Sequence, residues 1–121
     1  MSGERREREQ RGRQAEDRAA AFLEAQGYTI LAHRLRTPSG EVDLIAYQPP
    51  VLAFVEVKAR ASAGRSLFSL SERQAARIAA AAEFFLAEHP EHADSLVRLD
   101  LIAVSPGQPP RHFPNAWQAD S

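Results

Sequence analysis

The chain has 121 residues, enough for one domain with a real core, and its hydrophobic content of 44% is ordinary for a globular protein. It contains no cysteine, which excludes disulfides and thiolate metal sites, and its net charge of −1 gives no overall sign of nucleic-acid binding. The charged N-terminus lacks the apolar segment of a secretory signal, and no apolar run reaches the ~20 residues of a membrane-spanning helix. We therefore expect a cytoplasmic protein without membrane contact.

Residues 1–13 are expected to form a charged arm that precedes the domain. The arm carries five Arg and three Glu, and pairs such as Glu4 and Arg8 stand at i,i+4 with the acid first, which favours a helix. Two interpretations remain open. The arm is either a solvated helical extension or a basic segment that contacts phosphates.

Residues 14–104 are expected to form a single domain with the element order α-β-β-β-α-β. Gly27 is typical of a helix end, and Ser71 with Gln74 forms a capping box at a helix start. The helices are predicted at 14–26 and 71–88, and the strands at 28–36, 41–47, 51–60 and 95–104. Short turns make the first three strands an antiparallel meander, and the second helix makes a right-handed crossover to a parallel fourth strand. The fold class is therefore α/β, an α+β mixed sheet covered on both faces.

The last segment, residues 105–121, is Pro-rich. Phe113 and Trp117 are its large apolar side chains. We expect them to pack this tail onto the domain.

Charged side chains interrupt the apolar second and third strands. Glu56 and Lys58 are two residues apart and share a face, and a turn at residues 48–50 would bring Asp43 near Glu56 at the open end of the hairpin. Two buried carboxylates repel each other, so a cation must offset their charge. Lys58 supplies one charge, and an all-oxygen site suits Mg²⁺ or Mn²⁺. A buried salt bridge with no metal is the alternative interpretation.

Lys58 is the only lysine among fifteen basic residues, and the others are all arginine. An ammonium is a compact point charge whose pKa can shift, whereas a guanidinium is broad and always protonated. Lys58 therefore indicates a site that needs the smaller cation, with chance retention as the alternative.

Asp43 together with Glu56-Val57-Lys58 resembles the D…E-x-K core of the PD-(D/E)xK nucleases, the restriction-endonuclease-like superfamily. The stretches GEVDLIA, FVEVKAR and RHFPNAW, with the helix that contains Glu16, resemble the YraN-like family of bacterial proteins over nearly the full chain. The resemblance implies a restriction-endonuclease-like fold. It also implies metal-dependent hydrolysis of phosphodiester bonds in DNA, branched or damaged, as in Holliday-junction resolvases.

The resemblance also implies roles for individual residues. Asp43, Glu56 and the Val57 carbonyl would hold Mg²⁺ or Mn²⁺, and Lys58 would orient or deprotonate the attacking water. Glu16 would be a further acid borne on the first helix. Catalytic Gln74, with Arg73 and Arg77 on the same helix, would approach the site or the phosphate.

Three positions depart from the family pattern. Val42 replaces the motif's proline, which carries no chemistry. Arg34 stands where the family usually has Asn, and Gln74 where it often has Lys. The last departure puts the role of Gln74 in question.

Several further charged residues flank these motifs. Either Glu41 is an additional metal-shell carboxylate or it ends a strand in solvent. Asp100 is expected to be structural and to pair with Arg98 or with an arginine of a helix. A rim for nucleic-acid phosphates, or a plain solvated surface, would be formed by Arg34, Arg36, Arg60 and Arg65.

Three classes of function follow from these patterns. The first is a metal-dependent nuclease acting on DNA, for which a resolvase-like role would favour a homodimer. The second is a non-catalytic nucleic-acid-binding or assembly module that retains the nuclease fold. The third is an ion-paired structural domain with a protein partner.

Overall fold

The computed structural model describes residues 2–59 and 70–116. Its elements in chain order are α1 (Ser2–Ala25), β1 (Thr29–Thr37), β2 (Gly40–Gln48), β3 (Val51–Ala59), α2 (Glu72–Glu88), a 3₁₀ helix (Pro90–His92), β4 (Leu96–Val104) and β5 (Arg111–Phe113). Within these residues no helix combines the length and the apolarity needed to cross a bilayer.

The strands form one mixed sheet in the order β1-β2-β3-β4-β5. The first three strands pair antiparallel, and β4 lies parallel to β3 after the α2 crossover. The predicted meander and crossover are therefore confirmed, and the domain is a mixed α+β domain. The sheet continues one strand further than predicted, because β5 pairs antiparallel with β4.

Both faces of the sheet are covered, as the apolar strands predict. On one face α1 packs its buried residues against β2, β3 and β4; those residues are Ala15, Ala19, Ala20 and Leu23. On the other face α2 packs against the same strands through Ala75, Ile78, Ala81, Ala82 and Phe85. We call the buried residues on the α1 face, which include Leu44 of β2, the α1-side cluster. The buried residues on the α2 face, which include Val42 and Ile45 of β2, are the α2-side cluster. The two helices therefore lie on opposite faces of the sheet, with β2 and β3 between them.

The helix ends follow the local rules. The predicted capping box is present at α2, where the Ser71 hydroxyl accepts from the Gln74 N–H and the Gln74 side chain accepts from the Ser71 N–H. Gly27 has φ +98°, and the Tyr28 N–H donates back to the Leu23 carbonyl at 3.0 Å. This left-handed turn satisfies the end of α1 and starts β1.

Not every apolar residue of the two helices is buried. Ala79 of α2 is exposed, whereas Ala81 is buried. Phe22 is only half-buried. The charged arm is helical and continuous with α1 from Ser2, and residues 3–7 within it are exposed.

The C-terminal segment packs on the domain up to Ala116. Phe113 contacts the α2-side cluster, and Ala116 is buried. The Ala116 N–H donates to the Leu99 carbonyl on β4, while its own carbonyl accepts from the Leu70 N–H. Trp117, the other residue predicted to pack here, lies outside the described residues.

Candidate functional site

The β2–β3 hairpin opens at Asp43. The backbone ladder starts beside the Pro49–Pro50 turn and ends at the pair of Leu44 and Val55. Beyond that pair the Val57 N–H donates to the Asp43 Oδ2 at 2.7 Å. A side-chain carboxylate thus replaces the backbone carbonyl as acceptor, and Asp43 lies beside the Glu56-Val57 segment of β3.

The alternation of side chains along β2 is interrupted at the same point. Val42 and Ile45 are three residues apart, yet both belong to the α2-side cluster, while Leu44 belongs to the α1-side cluster. A regular strand would place Val42 and Leu44 on the same face. This irregularity shifts Asp43 out of the strict alternation that the sequence-based argument assumed.

The neighbouring strand β1 is distorted opposite Asp43. The register pairs His33 with Leu44 and Leu35 with Val42, which leaves Arg34 facing Asp43. Arg34 has φ +53°, a left-handed conformation that is uncommon for a residue with a Cβ. Asn tolerates this conformation better than most residues, which gives a physical reason for the Asn implied by the family resemblance.

The side chain of Arg34 extends from β1 to α1. The Arg34 Nε donates to the Glu16 Oε1 at 2.6 Å, and the Glu16 side chain is only 12% exposed. The negative charge of Glu16 in turn raises the pKa of Asp43. Glu16 therefore acts electrostatically on Asp43, after the larger effects of burial and Glu56.

Glu56 is paired with the second helix. The Arg77 Nη2 on α2 donates to the Glu56 Oε1 at 3.2 Å, and the Glu56 side chain is 15% exposed. Lys58 follows two residues later on β3, and its charge also acts on Glu56. Two cations, Arg77 and Lys58, thus offset this carboxylate.

Asp43 has less compensation. Burial and then the neighbouring Glu56 carboxylate raise the pKa of Asp43 to about 7, against the lowering effect of the Val57 amide. Burial also raises the pKa of Glu56, although Arg77 and Lys58 oppose that rise. At the opening of the hairpin, Asp43 is therefore the carboxylate whose charge its neighbours compensate least.

The donor set fits a hard divalent cation. Asp43 and Glu56 offer two carboxylates, and the Val57 carbonyl is a third oxygen on the same segment. Residues 2–59 and 70–116 contain no group of three or more His, Cys, Asp or Glu side chains that could hold a metal. An ion here would take few protein ligands, as Mg²⁺ does because it usually keeps several waters.

Two predicted residues of α2 lie at its first turns. The Gln74 side-chain carbonyl accepts from Ser71, so it serves the capping box. Within the described residues no hydrogen bond joins Gln74 to Asp43 or Glu56. Arg73 is exposed.

The predicted arginine rim is only partly described. Arg36 is 88% exposed and lies 3.6 Å from Glu41. The nearby Arg34 is committed to Glu16. Arg60 and Arg65 lie outside the described residues.

A second polar centre surrounds Asp100, which is fully buried on β4. Arg98 donates two hydrogen bonds to its carboxylate, both at 2.8 Å, and also donates to the Tyr28 hydroxyl at 2.7 Å. His112 Nε2 lies 2.8 Å from Asp100, and the Asn115 N–H donates at 2.9 Å. The sequence indicated the pairing with Arg98 and missed the other partners, although both lie in the RHFPNAW stretch. This centre ties β5 and the following turn to β4.

The fold and this arrangement define a mixed α+β domain with a restriction-endonuclease-like core. Residues 15–104 match the model of the uncharacterised protein family UPF0102, and the chain belongs to that family. It is 49% identical over 108 residues to UPF0102 protein RPA0323 of Rhodopseudomonas palustris, covering 89% of this chain and 83% of the relative. It is 48% identical over 110 residues to UPF0102 protein bll0669 of Bradyrhizobium diazoefficiens, covering 91% and 83%. This is the family that the sequence resemblance named as YraN-like.

Proposed function

We propose that this protein is a divalent-metal-dependent nuclease that hydrolyses phosphodiester bonds in DNA. The observation that supports the proposal is the meeting of Asp43 and Glu56 where the β2–β3 hairpin opens, with the pKa of Asp43 raised to about 7. A strongly perturbed carboxylate beside a second one is typical of functional sites. Two neighbouring carboxylates repel each other and lower the stability of the fold, and a bound cation would offset that repulsion.

The proposal gives each residue a task. Asp43, Glu56 and the Val57 carbonyl hold Mg²⁺ or Mn²⁺. The ion, when bound, polarises the phosphoryl oxygen and offsets the charge that develops during hydrolysis. Lys58, on the same strand as Glu56, orients the attacking water through its N–H donors, and it takes up the proton of that water only when its amine is neutral. Glu16 adds a carboxylate from α1 and keeps Arg34 in place.

The substrate class follows from the resemblance to resolvase-like nucleases, which implies branched or damaged DNA. The arginines that the sequence analysis assigned to phosphate binding would contact the DNA backbone: Arg34, Arg36, Arg60, Arg65, Arg73 and Arg77. A homodimer and a cytoplasmic location belong to the same proposal.

Cleavage of a labelled DNA junction in Mg²⁺ or Mn²⁺ tests the proposal. Asp43→Asn and Lys58→Ala are each expected to lower the rate about a hundredfold or more, since each removes a group that acts on the reacting atoms. Asp94→Asn makes the same chemical change at an exposed position in the turn before β4 and is expected to cleave normally. Undiminished cleavage by Asp43→Asn would show that the activity arises elsewhere.

One observation favours a second candidate, a nucleic-acid-binding module without catalysis. Arg77 already neutralises part of the charge of Glu56, which a metal ligand must offer to the ion. Such a module would bind branched or single-stranded DNA without turnover, with an affinity that falls as salt rises. Binding that is salt-dependent and insensitive to Mn²⁺, with no product over hours, would select this candidate.

A further inference from the structure

The contact between Arg77 and Glu56 is weaker than its burial would lead one to expect. A single hydrogen bond of 3.2 Å joins them, from Nη2 to Oε1. The Arg77 Nε is buried, and within the described residues it has no hydrogen-bond partner. Arg98 shows the contrasting geometry, with two bonds of 2.8 Å to Asp100. Of these two arginines, Arg98 binds its carboxylate through two parallel N–H donors, as is usual for such pairs, and Arg77 does not.

The aliphatic part of the Arg77 side chain packs against Gly40. A Cβ added at Gly40 would lie 2.7 Å from the Arg77 Cδ and 2.9 Å from its Cγ, which is closer than such atoms approach. Gly40 also has φ +130°, a conformation that side chains rarely adopt. The glycine that opens the GEVDLIA stretch therefore leaves room for the Arg77 stem, three residues before Asp43 on the same strand. The aliphatic part of Arg77 is therefore packed, whereas its guanidinium makes one long hydrogen bond, to Glu56.

We propose that Arg77 is an exchangeable counter-ion, whose guanidinium neutralises Glu56 until a divalent cation takes its place. The inference rests on the proposed metal-binding role of Asp43 and Glu56. Both cations would lie against the same carboxylate, so binding of one weakens binding of the other. The buried and unpartnered Nε–H lowers the stability of the paired state, which favours exchange. After displacement, the aliphatic part of Arg77 remains packed against Gly40, and the guanidinium donates hydrogen bonds to a phosphate.

Titration of Mn²⁺ at about pH 8, followed by calorimetry and by the rise in melting temperature, tests this inference without DNA. Arg77→Met keeps an unbranched apolar stem and removes both the charge and the buried Nε. It is expected to bind Mn²⁺ about tenfold more tightly than the wild type, because the competing cation is gone. Arg77→Lys retains the charge and is expected to stay within about threefold of the wild type.

Arg6→Met is the matched control, since Arg6 is exposed and lies ~15 Å along α1 before Glu16. It is expected to leave the Mn²⁺ affinity unchanged. Unchanged or weaker binding by Arg77→Met, with wild-type binding abolished in Asp43→Asn, would overturn the counter-ion role and leave the metal site standing. Absence of Mn²⁺ binding in both the wild type and Arg77→Met would overturn the metal site as well. Circular dichroism checks folding, and Arg77→Gln is the second charge-removing variant if Arg77→Met does not fold.

Discussion

Asp43 on β2 is partly buried and Asp100 on β4 is fully buried, and the pKa values of these two aspartates of one sheet shift in opposite directions. Burial alone would raise the pKa of Asp100, but hydrogen bonds from His112, Arg98 and the Asn115 amide outweigh it and hold the pKa below the ordinary value. Burial raises the pKa of Asp43 to about 7, the Glu56 carboxylate adds to the rise, and the Val57 amide opposes it. Burial acts in the same direction at both sites, so the partners decide the outcome.

The difference separates a structural carboxylate from a candidate functional one. Asp100 is satisfied by the chain itself and needs no ligand, whereas Asp43 retains uncompensated charge that a ligand could stabilise. Stability lost at one site and gained at the other by the same substitution would demonstrate this contrast directly.

The largest effect is expected from Asp100→Asn. The change leaves the Arg98 guanidinium without its counter-charge and breaks hydrogen bonds in a fully buried centre. We expect the free energy of unfolding to fall by about 3–5 kcal/mol, as for a broken buried ion pair. Urea unfolding monitored by circular dichroism measures it. Asp43→Asn is the matched change and is expected to leave stability unchanged or higher at about pH 8, because it removes a charge that Glu56 repels. An equal loss from both variants would contradict the comparison.

A smaller effect is expected in the pH dependence of stability. The unfolded chain titrates its aspartates near pH ~3.9, whereas folded Asp43 titrates at about 7. Between these values the folded state keeps a proton that the unfolded state has lost, so the contribution of Asp43 to stability falls as pH rises and is constant above about 7. Asp100 behaves oppositely: its lowered pKa stabilises the folded state above pH ~3.9, and that contribution is lost as pH falls through the folded pKa.

Urea unfolding of the wild type and Asp43→Asn across this range measures the effect of Asp43. The variant should gain on the wild type, on the order of 3 kcal/mol, as pH rises from about 4 to about 7. A constant difference between the two proteins across that interval would mean that the carboxylate of Asp43 is not perturbed. Saturating Mn²⁺ at about pH 8 should raise the melting temperature of the wild type and not that of the variant.

The sequence predicted the features that depend on local chemistry and short connections. The Ser71–Gln74 capping box, the Pro49–Pro50 turn and the α2 crossover follow local rules, and together they determine the order of four strands. A turn at residues 48–50 also fixes the register of the hairpin, which is why Asp43 could be placed near Glu56 from sequence alone.

The features that the sequence did not reveal depend on contacts between distant segments. Arg34 has a left-handed conformation within β1, and its side chain pairs with Glu16 on the distant helix α1. The three-residue strand β5 lies in a Pro-rich stretch with no alternating pattern, and its partners on β4 fix it there. Gln74 looked free to approach the site, but the capping box that the sequence did predict occupies its side-chain carbonyl. Two predicted roles can therefore compete for one side chain, and here the structure shows the capping role.

The smallest effect is expected from His112→Phe, which tests whether one partner of Asp100 can be lost. The ring would still fit edge-on beside Phe22 and Tyr28, so mainly the hydrogen bond to Asp100 is removed. We expect a loss of about 1–2 kcal/mol in urea unfolding, because Oδ2 still accepts from Arg98. The control His89→Phe keeps the stacking on Phe85 and should change stability little. Asp100 would then be held by several bonds of moderate strength, so that no single partner carries it, whereas within residues 2–59 and 70–116 Asp43 accepts one hydrogen bond, from the Val57 amide. A loss as large as that of Asp100→Asn would instead make His112 the dominant partner and the Arg98 fork secondary.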